Sequence, residues 1–87
     1  MHIYMQNIAA DKKSPRFYHL MLQKDLLDGW TLIREWGIQG SPGRVKRDHH
    51  LSHEDALTAL IGVRNAQLRR GFQVVFTQGE GNQIDYK

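Results

Sequence analysis

The stretch WTLIREWGIQGSPGRVKR, residues 30–47, determines how the rest of this chain is interpreted. Its first ten residues alternate two sets of side chains, and a period of two indicates a β-strand. The GSPG segment that follows, residues 40–43, is predicted to be a turn, because proline fixes φ and glycine accepts positive φ. The chain then returns as a basic strand over residues 44–50. An antiparallel hairpin is therefore expected at the centre of the sequence.

The two faces of the first strand, residues 30–39, differ in chemistry. One face mixes apolar and charged side chains, namely Trp30, Leu32, Arg34 and Trp36. The other face carries Thr31, Ile33 and Glu35. A strand face that packs on a core normally carries apolar residues throughout. We therefore interpret the mixed face as a surface that contacts a partner rather than as part of the core.

Strands are also predicted upstream of this hairpin. Residues 2–9 alternate with a period of two, and residues 11–15 form a polar connection that ends in proline. Residues 17–23 carry bulky side chains on both faces, which predicts either a central strand or a strand that is covered on both sides. The next Asp28-Gly29 pair is a turn signal before the strand that follows.

One helix is predicted in the second half of the chain. Ser52 is the expected N-cap, because a serine hydroxyl accepts a hydrogen bond from the first turn, and Gly71 follows the expected end. Spacings of three and four predict a buried stripe of Ala56, Leu57, Leu60, Ile61 and Leu68. Gly62 is a poor helix former, and we expect it to admit a close neighbour.

A last strand over residues 72–77 and a flexible tail over residues 78–87 complete the predicted organisation. The domain itself is expected to cover residues 1–77. The predicted fold class is α+β, an antiparallel sheet of four to five strands with a single helix packed on one face.

The composition limits the class of protein. At 87 residues the chain is expected to be one small domain. No apolar run approaches the roughly 18–20 residues that span a bilayer, and the N-terminal residues show no secretory signal, so we expect a cytoplasmic bacterial protein without a membrane partner. The absence of cysteine excludes disulfides and thiol catalysis. A net charge of +3 favours an acidic partner.

Residues that could support catalysis or metal binding are not arranged for either. His49, His50 and His53 flank the start of the helix, so they do not share a helical face, and no cysteine or suitably spaced acid completes a metal site. We interpret them as solvated. Serines lie in turns or at the cap rather than in a nucleophile elbow, and no glycine-rich segment carries the lysine of a phosphate loop. We expect no enzyme activity, no cofactor and no bound metal.

The Trp36-Gly37 pair and its hairpin resemble the WGR domain, a module named for a Trp-Gly-Arg run. The likeness also includes the segments Arg16-Phe17-Tyr18, Asp28-Gly29-Trp30 and Leu68-Arg69-Arg70-Gly71-Phe72. It covers almost the whole chain. WGR domains occur in DNA-damage-sensing poly(ADP-ribose) polymerases and in many short bacterial proteins, and the resemblance implies the same α+β fold. Ile38 stands where the family name has arginine.

The resemblance also implies a function. In the polymerases, WGR domains bind damaged DNA: the tryptophan packs against the sugar at the 5′ end of a break, and basic residues hold the phosphates. Trp36 is therefore the candidate stacking residue, and Gly37 permits close backbone approach. By position and charge, the candidates for contacting phosphates are Arg34, Arg44, Lys46 and Arg47. The expected partner is nucleic acid, with DNA expected before RNA.

Three functional hypotheses remain open from the sequence. The first is a non-catalytic module that recognises DNA ends or nicks through Trp36 and the basic strand. The second is a protein–protein interaction module that docks a larger partner or forms a homodimer through a sheet edge, and the apolar Ile38 favours it. The third is an accessory domain of an enzyme encoded in the same operon.

Overall fold

The computed structural model describes residues 1–7 and 15–79. Within these residues the elements are, in chain order, β1 (His2–Asn7), β2 (Arg16–Lys24), β3 (Trp30–Ile38), β4 (Arg44–His50), α1 (His53–Arg69) and β5 (Gln73–Gln78). The strands form a five-stranded sheet in the order β4-β3-β2-β1-β5, and every neighbouring pair is antiparallel. The predicted α+β fold is confirmed.

The middle strand of the sheet is β2, which confirms the first of the two alternatives predicted from its bulky faces. Tyr18, Leu20 and Leu22 are buried on the face that α1 covers. Phe17 and His19 are half-buried on the opposite face. We call the face that α1 covers the helix face. We call the opposite face the open face, because among the described elements no helix or strand packs on it.

The hydrophobic core lies between the helix face and α1. Its largest fully buried side chains are Ile3, Met5, Leu20, Leu32 and Leu60. Burying one such side chain stabilises the folded state by about 1.5–3 kcal/mol relative to exposure. The core therefore forms where apolar side chains of β1, β2 and β3 meet those of α1.

The mixed face of β3 belongs to this core, which corrects its interpretation as a purely exposed contact surface. Leu32 is only 1% exposed beneath α1. Trp30 and Trp36 are both half-buried and pack against the core from either end of the strand. The prediction was wrong for the middle of the face, since a 17-residue helix covers it. It holds at the two ends of the face, where Trp30 and Trp36 stay partly accessible.

The ends of α1 follow the predicted capping. The Ser52 hydroxyl accepts a hydrogen bond from the backbone N–H of Asp55 at 3.0 Å. At the other end Arg70 is the C-cap residue, and Gly71 takes a positive φ of 101° that reverses the chain direction. A positive φ favours glycine, which explains the sharp stop.

The buried stripe of α1 matches the prediction at its centre and departs from it near its C-terminus. Ala56 and Leu60 are buried, but Leu68 is 41% exposed and Gln67 is buried in its place. Leu68 instead lines a groove beside β5. The expectation for Gly62 is wrong, because no neighbouring atom lies within 4 Å of the position that a Cβ would take.

Several predicted boundaries differ from the structure or lie partly outside the described residues: β2 is one residue longer at each end, and β3 ends at Ile38 rather than at residue 39. Of the first predicted strand, Ile8 and Ala9 lie outside the described residues, as does most of the polar connection, including Lys12 and Lys13. The last strand begins one residue later than predicted, because Phe72 turns inward and makes an edge-to-face contact with Tyr18. Of the predicted tail, Gln78 ends β5 and residues 80–87 lie outside the described part.

In the described part of the chain, no helix has the length and apolar character needed to cross a membrane.

Candidate functional site

The strand register decides which of the predicted site residues share a face. Trp36 pairs with Arg44, and Arg34 pairs with Lys46. Residues directly opposite each other in an antiparallel pair point to the same face of the sheet. These four side chains therefore lie on the helix face. Arg47 pairs with Ile33 and points to the open face, so the structure separates it from the other candidates.

A pocket of about 530 Å³ opens at the Trp36 end of the helix face. Three elements contribute to it: β2, β3 and the C-terminal end of α1 with the residues that follow. Its walls are formed by Arg16, Phe17, Tyr18, Arg34, Trp36, Gly37, Ile38, Gln67, Arg70 and Phe72. The lining contains three arginines and no carboxylate. Its chemistry is therefore aromatic and cationic.

Trp36 both packs against the core and lines this pocket. Its ring stacks on Tyr18, with centroids 5.5 Å apart and planes at 11°. Tyr18 in turn meets the edge of Phe72, with centroids 6.0 Å apart. These contacts hold the indole in a fixed orientation while part of it stays accessible. A ring ordered in this way loses little further freedom when a ligand binds.

Arg34 is the most constrained cation of the pocket. Its guanidinium lies 3.4 Å from a carboxylate oxygen of Asp48, and its side chain is 21% exposed. Its Nε is buried and has no hydrogen-bond partner among the described residues. An unpaired buried donor costs about 1–3 kcal/mol, so a ligand that brings an acceptor oxygen to this nitrogen would recover that free energy.

Arg16 and Arg70 are exposed and line the same pocket from two other elements. Asn7 of β1 donates a side-chain hydrogen bond to the carbonyl oxygen of Arg70 at 3.3 Å, which ties the segment after α1 to the sheet. The buried Gln67 adds a polar amide to the lining. Arg16, Arg70 and Gln67 are not among the predicted site residues. Their positions depend on how distant segments meet, which no local pattern shows.

Arg44 and Lys46 extend the positive charge from the pocket along β4. Both are exposed, and β4 is an edge strand. A ligand that fills the pocket and continues over the edge of the sheet would therefore meet further cations. Such an extended path of charge suits a polyanion better than a small molecule.

Gly37 allows close approach, but the approaching group belongs to the chain itself. A Cβ at Gly37 would lie 3.0 Å from the Cα of Gly43, and a Cβ at Gly43 would lie 2.7 Å from the carbonyl oxygen of Trp36. Phe17 packs over both positions. The two glycines thus let β3 and the returning chain come together just behind the indole.

The three predicted solvated histidines have different surroundings. His49 Nδ1 lies 2.7 Å from a carboxylate oxygen of Asp25, and His53 meets the edge of Trp30 with ring centroids 4.5 Å apart. His50 is half-buried opposite Trp30 in the register. Within residues 1–7 and 15–79, no group of three or more potential ligands could hold a metal ion.

Asp25 organises the turn between β2 and β3. Desolvation alone would raise the pKa of this carboxyl group. Hydrogen bonds from the backbone N–H groups of Gly29 and Leu27 and from the side chains of His49 and Thr31 outweigh it, so the pKa of Asp25 lies below its usual value. The turn is therefore held by a carboxylate that prefers to stay ionised.

The pKa of His19 is lowered by its surroundings. His19 lies on the open face, 3.3 Å from the ring nitrogen of His2 and edge-on to Tyr4. Burial lowers the pKa of His19, the neighbouring His2 lowers it further, and Glu35 partly opposes both effects.

Comparisons with known proteins show what the chain as a whole is similar to. The sequence profile of the WGR domain matches residues 1–78. The chain is also similar to the uncharacterized protein y4dW of Sinorhizobium fredii (strain NBRC 101917 / NGR234), with 22% identity over 71 residues. That alignment covers 82% of this chain but 35% of the relative, so the chain spans about a third of that protein's length.

Proposed function

Because the chain belongs to the WGR domain family, a family of non-catalytic modules associated with nucleic-acid binding in the poly(ADP-ribose) polymerases, we propose that it binds nucleic acid at DNA ends or nicks. The observation that carries this proposal is the pocket in which the half-buried ring of Trp36 stands beside three arginines without an acid in the lining. We further propose that the protein performs no catalysis of its own.

Trp36 is proposed to mark the strand end. A terminal nucleotide exposes a sugar or base face that is covered inside a continuous duplex. Stacking of an aromatic ring on such a face contributes about 1–3 kcal/mol of binding free energy. The stacking of Trp36 on Tyr18 supports this role because it supplies a rigid platform.

The cations are proposed to hold the phosphates. Arg34, with its buried Nε unpaired among the described residues, would bind the phosphate nearest to the stacked nucleotide. Arg44 and Lys46 would contact the phosphates that follow along β4. Guanidinium groups suit this task because their forked donors match two phosphate oxygens. Arg47, on the open face, is assigned no contact with the same strand end.

The proposal is tested by fluorescence polarisation with labelled blunt, nicked and single-stranded DNA at two salt concentrations. We expect the protein to bind nicked and blunt-ended probes more tightly than duplex DNA without ends. A closed circular duplex, added as a competitor, represents the DNA without ends. Neutralising about three phosphates, one each for Arg34, Arg44 and Lys46, predicts a slope of log affinity against log salt of about −3. Binding that ignores salt, or equal competition by the closed circle, would refute end recognition.

A protein-binding role is the second candidate, and Ile38 favours it. This residue is 45% exposed, lines the same pocket and stands where the family name has arginine. The variant Ile38→Arg separates the two functions. If the pocket binds nucleic acid, one more cation should raise affinity a few-fold and steepen the salt slope by about 1. No gain in DNA affinity would favour an apolar partner at this position.

A further inference from the structure

The two edges of the described sheet differ sharply in charge. At one edge β4 has the sequence RVKRDHH, and four of its seven residues are arginine, lysine or aspartate. At the other edge β5 has the sequence QVVFTQ, which contains no charged residue, and all six of its residues are exposed. Val75 is 56% exposed and Phe76 49%.

An edge strand without charge is unusual, because its unpaired N–H and C=O groups can pair with another strand. Proteins normally block such pairing with charged side chains, as β4 does. We propose that β5 pairs with β5 of a second copy of this chain, antiparallel and about a two-fold axis, so that the two sheets join into one. This proposal is independent of nucleic-acid binding.

The sequence of β5 is complementary to itself in that arrangement. Antiparallel pairing centred between Val75 and Phe76 places Gln73 opposite Gln78 of the second copy and Val74 opposite Thr77 of the second copy. Each pair also lies on one face of the sheet. Val74 and Thr77 pair with the core residues Met5 and Ile3 of β1, so they lie on the helix face.

The glutamines lie on the opposite face. Gln73 pairs with Gln6 and Gln78 pairs with His2, both on the open face. Amide side chains can donate to and accept from each other, so a Gln–Gln pair needs no other partner. The register of β1 with β5 shifts between Tyr4 and Met5, which makes the middle of β5 irregular. We therefore place the intermolecular hydrogen bonds at the two ends of β5.

An apolar groove beside β5 gives the second copy a further surface to cover. It is lined by Ile3, Arg64, Leu68, Val74 and Thr77 and has a volume of about 360 Å³. Leu68, 41% exposed, and Val74, 43% exposed, would both lose contact with water when the sheets join. Their burial would account for a leucine in this part of α1 that the described residues leave partly exposed.

The resulting dimer should be weak and should leave the proposed nucleic-acid site accessible. One six-residue strand and a groove make an interface at the small end of the range for specific complexes, so we expect a dissociation constant in about the micromolar range. The β4 edges lie farthest from the joined strands.

Sedimentation velocity from about 1 to 500 µM, a range that brackets a micromolar dissociation constant, tests the proposal with two charge variants. Gln73→Lys/Gln78→Lys places lysine opposite lysine at both ends of the interface. Gln73→Glu/Gln78→Lys places glutamate opposite lysine at both ends. Gln23→Lys/Thr58→Lys, at exposed positions away from β5, adds the same charge as the first variant and is the matched control.

We expect the wild type, the control and the Glu/Lys variant to dimerise, and we expect the Lys/Lys variant to raise the dissociation constant at least about tenfold. Far-UV circular dichroism verifies that each variant is folded. A wild type that stays monomeric up to 500 µM overturns the proposal, since about 500 µM far exceeds a micromolar dissociation constant. Equal dimerisation of the two β5 variants overturns it as well, because the contact then lies elsewhere or in another register.

Discussion

The two ends of β3 carry the same residue type on the same face, yet they differ in what surrounds it. Trp30 and Trp36 are both half-buried against the core. At the Trp30 end, His53 packs edge-on against the ring, and the adjacent turn is held by the ionised Asp25. At the Trp36 end, the ring lines a pocket with three arginines. The role of each tryptophan therefore depends on whether its neighbours leave a ring face and hydrogen-bond donors available.

The largest expected effect comes from removing each indole. Trp36→Ala should weaken binding to nicked or blunt DNA about ten- to hundredfold, because base or sugar stacking contributes about 1–3 kcal/mol. Trp30→Ala should lower the free energy of unfolding but leave DNA affinity of the folded protein unchanged. Fluorescence polarisation with the end-containing probes measures the first effect, and urea denaturation measures the second.

Trp36→Phe is the control for packing, because it keeps an aromatic ring against Tyr18 and should retain part of the affinity. If Trp30→Ala weakens DNA binding as much as Trp36→Ala does, the proposed difference between the two ends is wrong.

The next effect concerns the cation beside Trp36. Arg34→Gln should weaken DNA binding about tenfold, because a hydrogen bond to a charged group contributes about 1.5–3 kcal/mol, and should make the salt slope shallower by about 1. Arg34→Lys keeps the charge and should keep the salt slope while losing part of the affinity, since lysine lacks the forked donors. An unchanged affinity for Arg34→Gln would mean that the pocket does not hold a phosphate.

A smaller effect separates the two faces of β4. Arg44→Gln removes a cation on the same face as Trp36, and Arg47→Gln removes one on the open face. Both residues are exposed, so the pair is matched in charge and surroundings. We expect a few-fold loss of affinity for Arg44→Gln and a smaller loss for Arg47→Gln. Equal losses from the two variants would show that binding depends on total charge rather than on the helix face.

The smallest effect lies on the open face, away from both ends of β3. Because the pKa of His19 is lowered in the folded state, the unfolded chain binds a proton more readily. The free energy of unfolding should therefore decrease as the pH falls below the ordinary histidine value of 6.5. His19→Gln should reduce this slope, as measured by urea denaturation between about pH 7.5 and 5. An identical slope in the variant would assign the pH dependence to other groups.

The sequence predicted local structure well because local structure depends on neighbours. The alternation around Tyr18, the Ser52 cap and the glycine after α1 are all determined within a few residues, and all were confirmed. Arg44 and Arg47 lie on opposite faces of β4, as a period of two requires. The prediction missed this separation because it grouped the basic residues by strand rather than by face.

The pocket could not be predicted in the same way. Arg16, Trp36 and Arg70 come from three segments that meet only when β2 pairs with β3 and α1 ends beside them. The placement of β5 next to β1 likewise depends on the path of the whole chain. The prediction that Leu68 is buried is wrong, because helical spacing defines a face of the helix but not how far the sheet extends beneath that face.

The close contact between Gly37 and Gly43 has a consequence for how variation at this site should be judged. A side chain at Gly43 would meet the backbone oxygen of Trp36 at 2.7 Å, and backbone atoms cannot move aside as a flexible side chain can. In a library of random variants selected for folding alone, Gly43 would therefore already be retained. Retention of Gly43 is therefore a sign of steric necessity, whereas substitutions at Trp36 and Arg34 report on ligand selection.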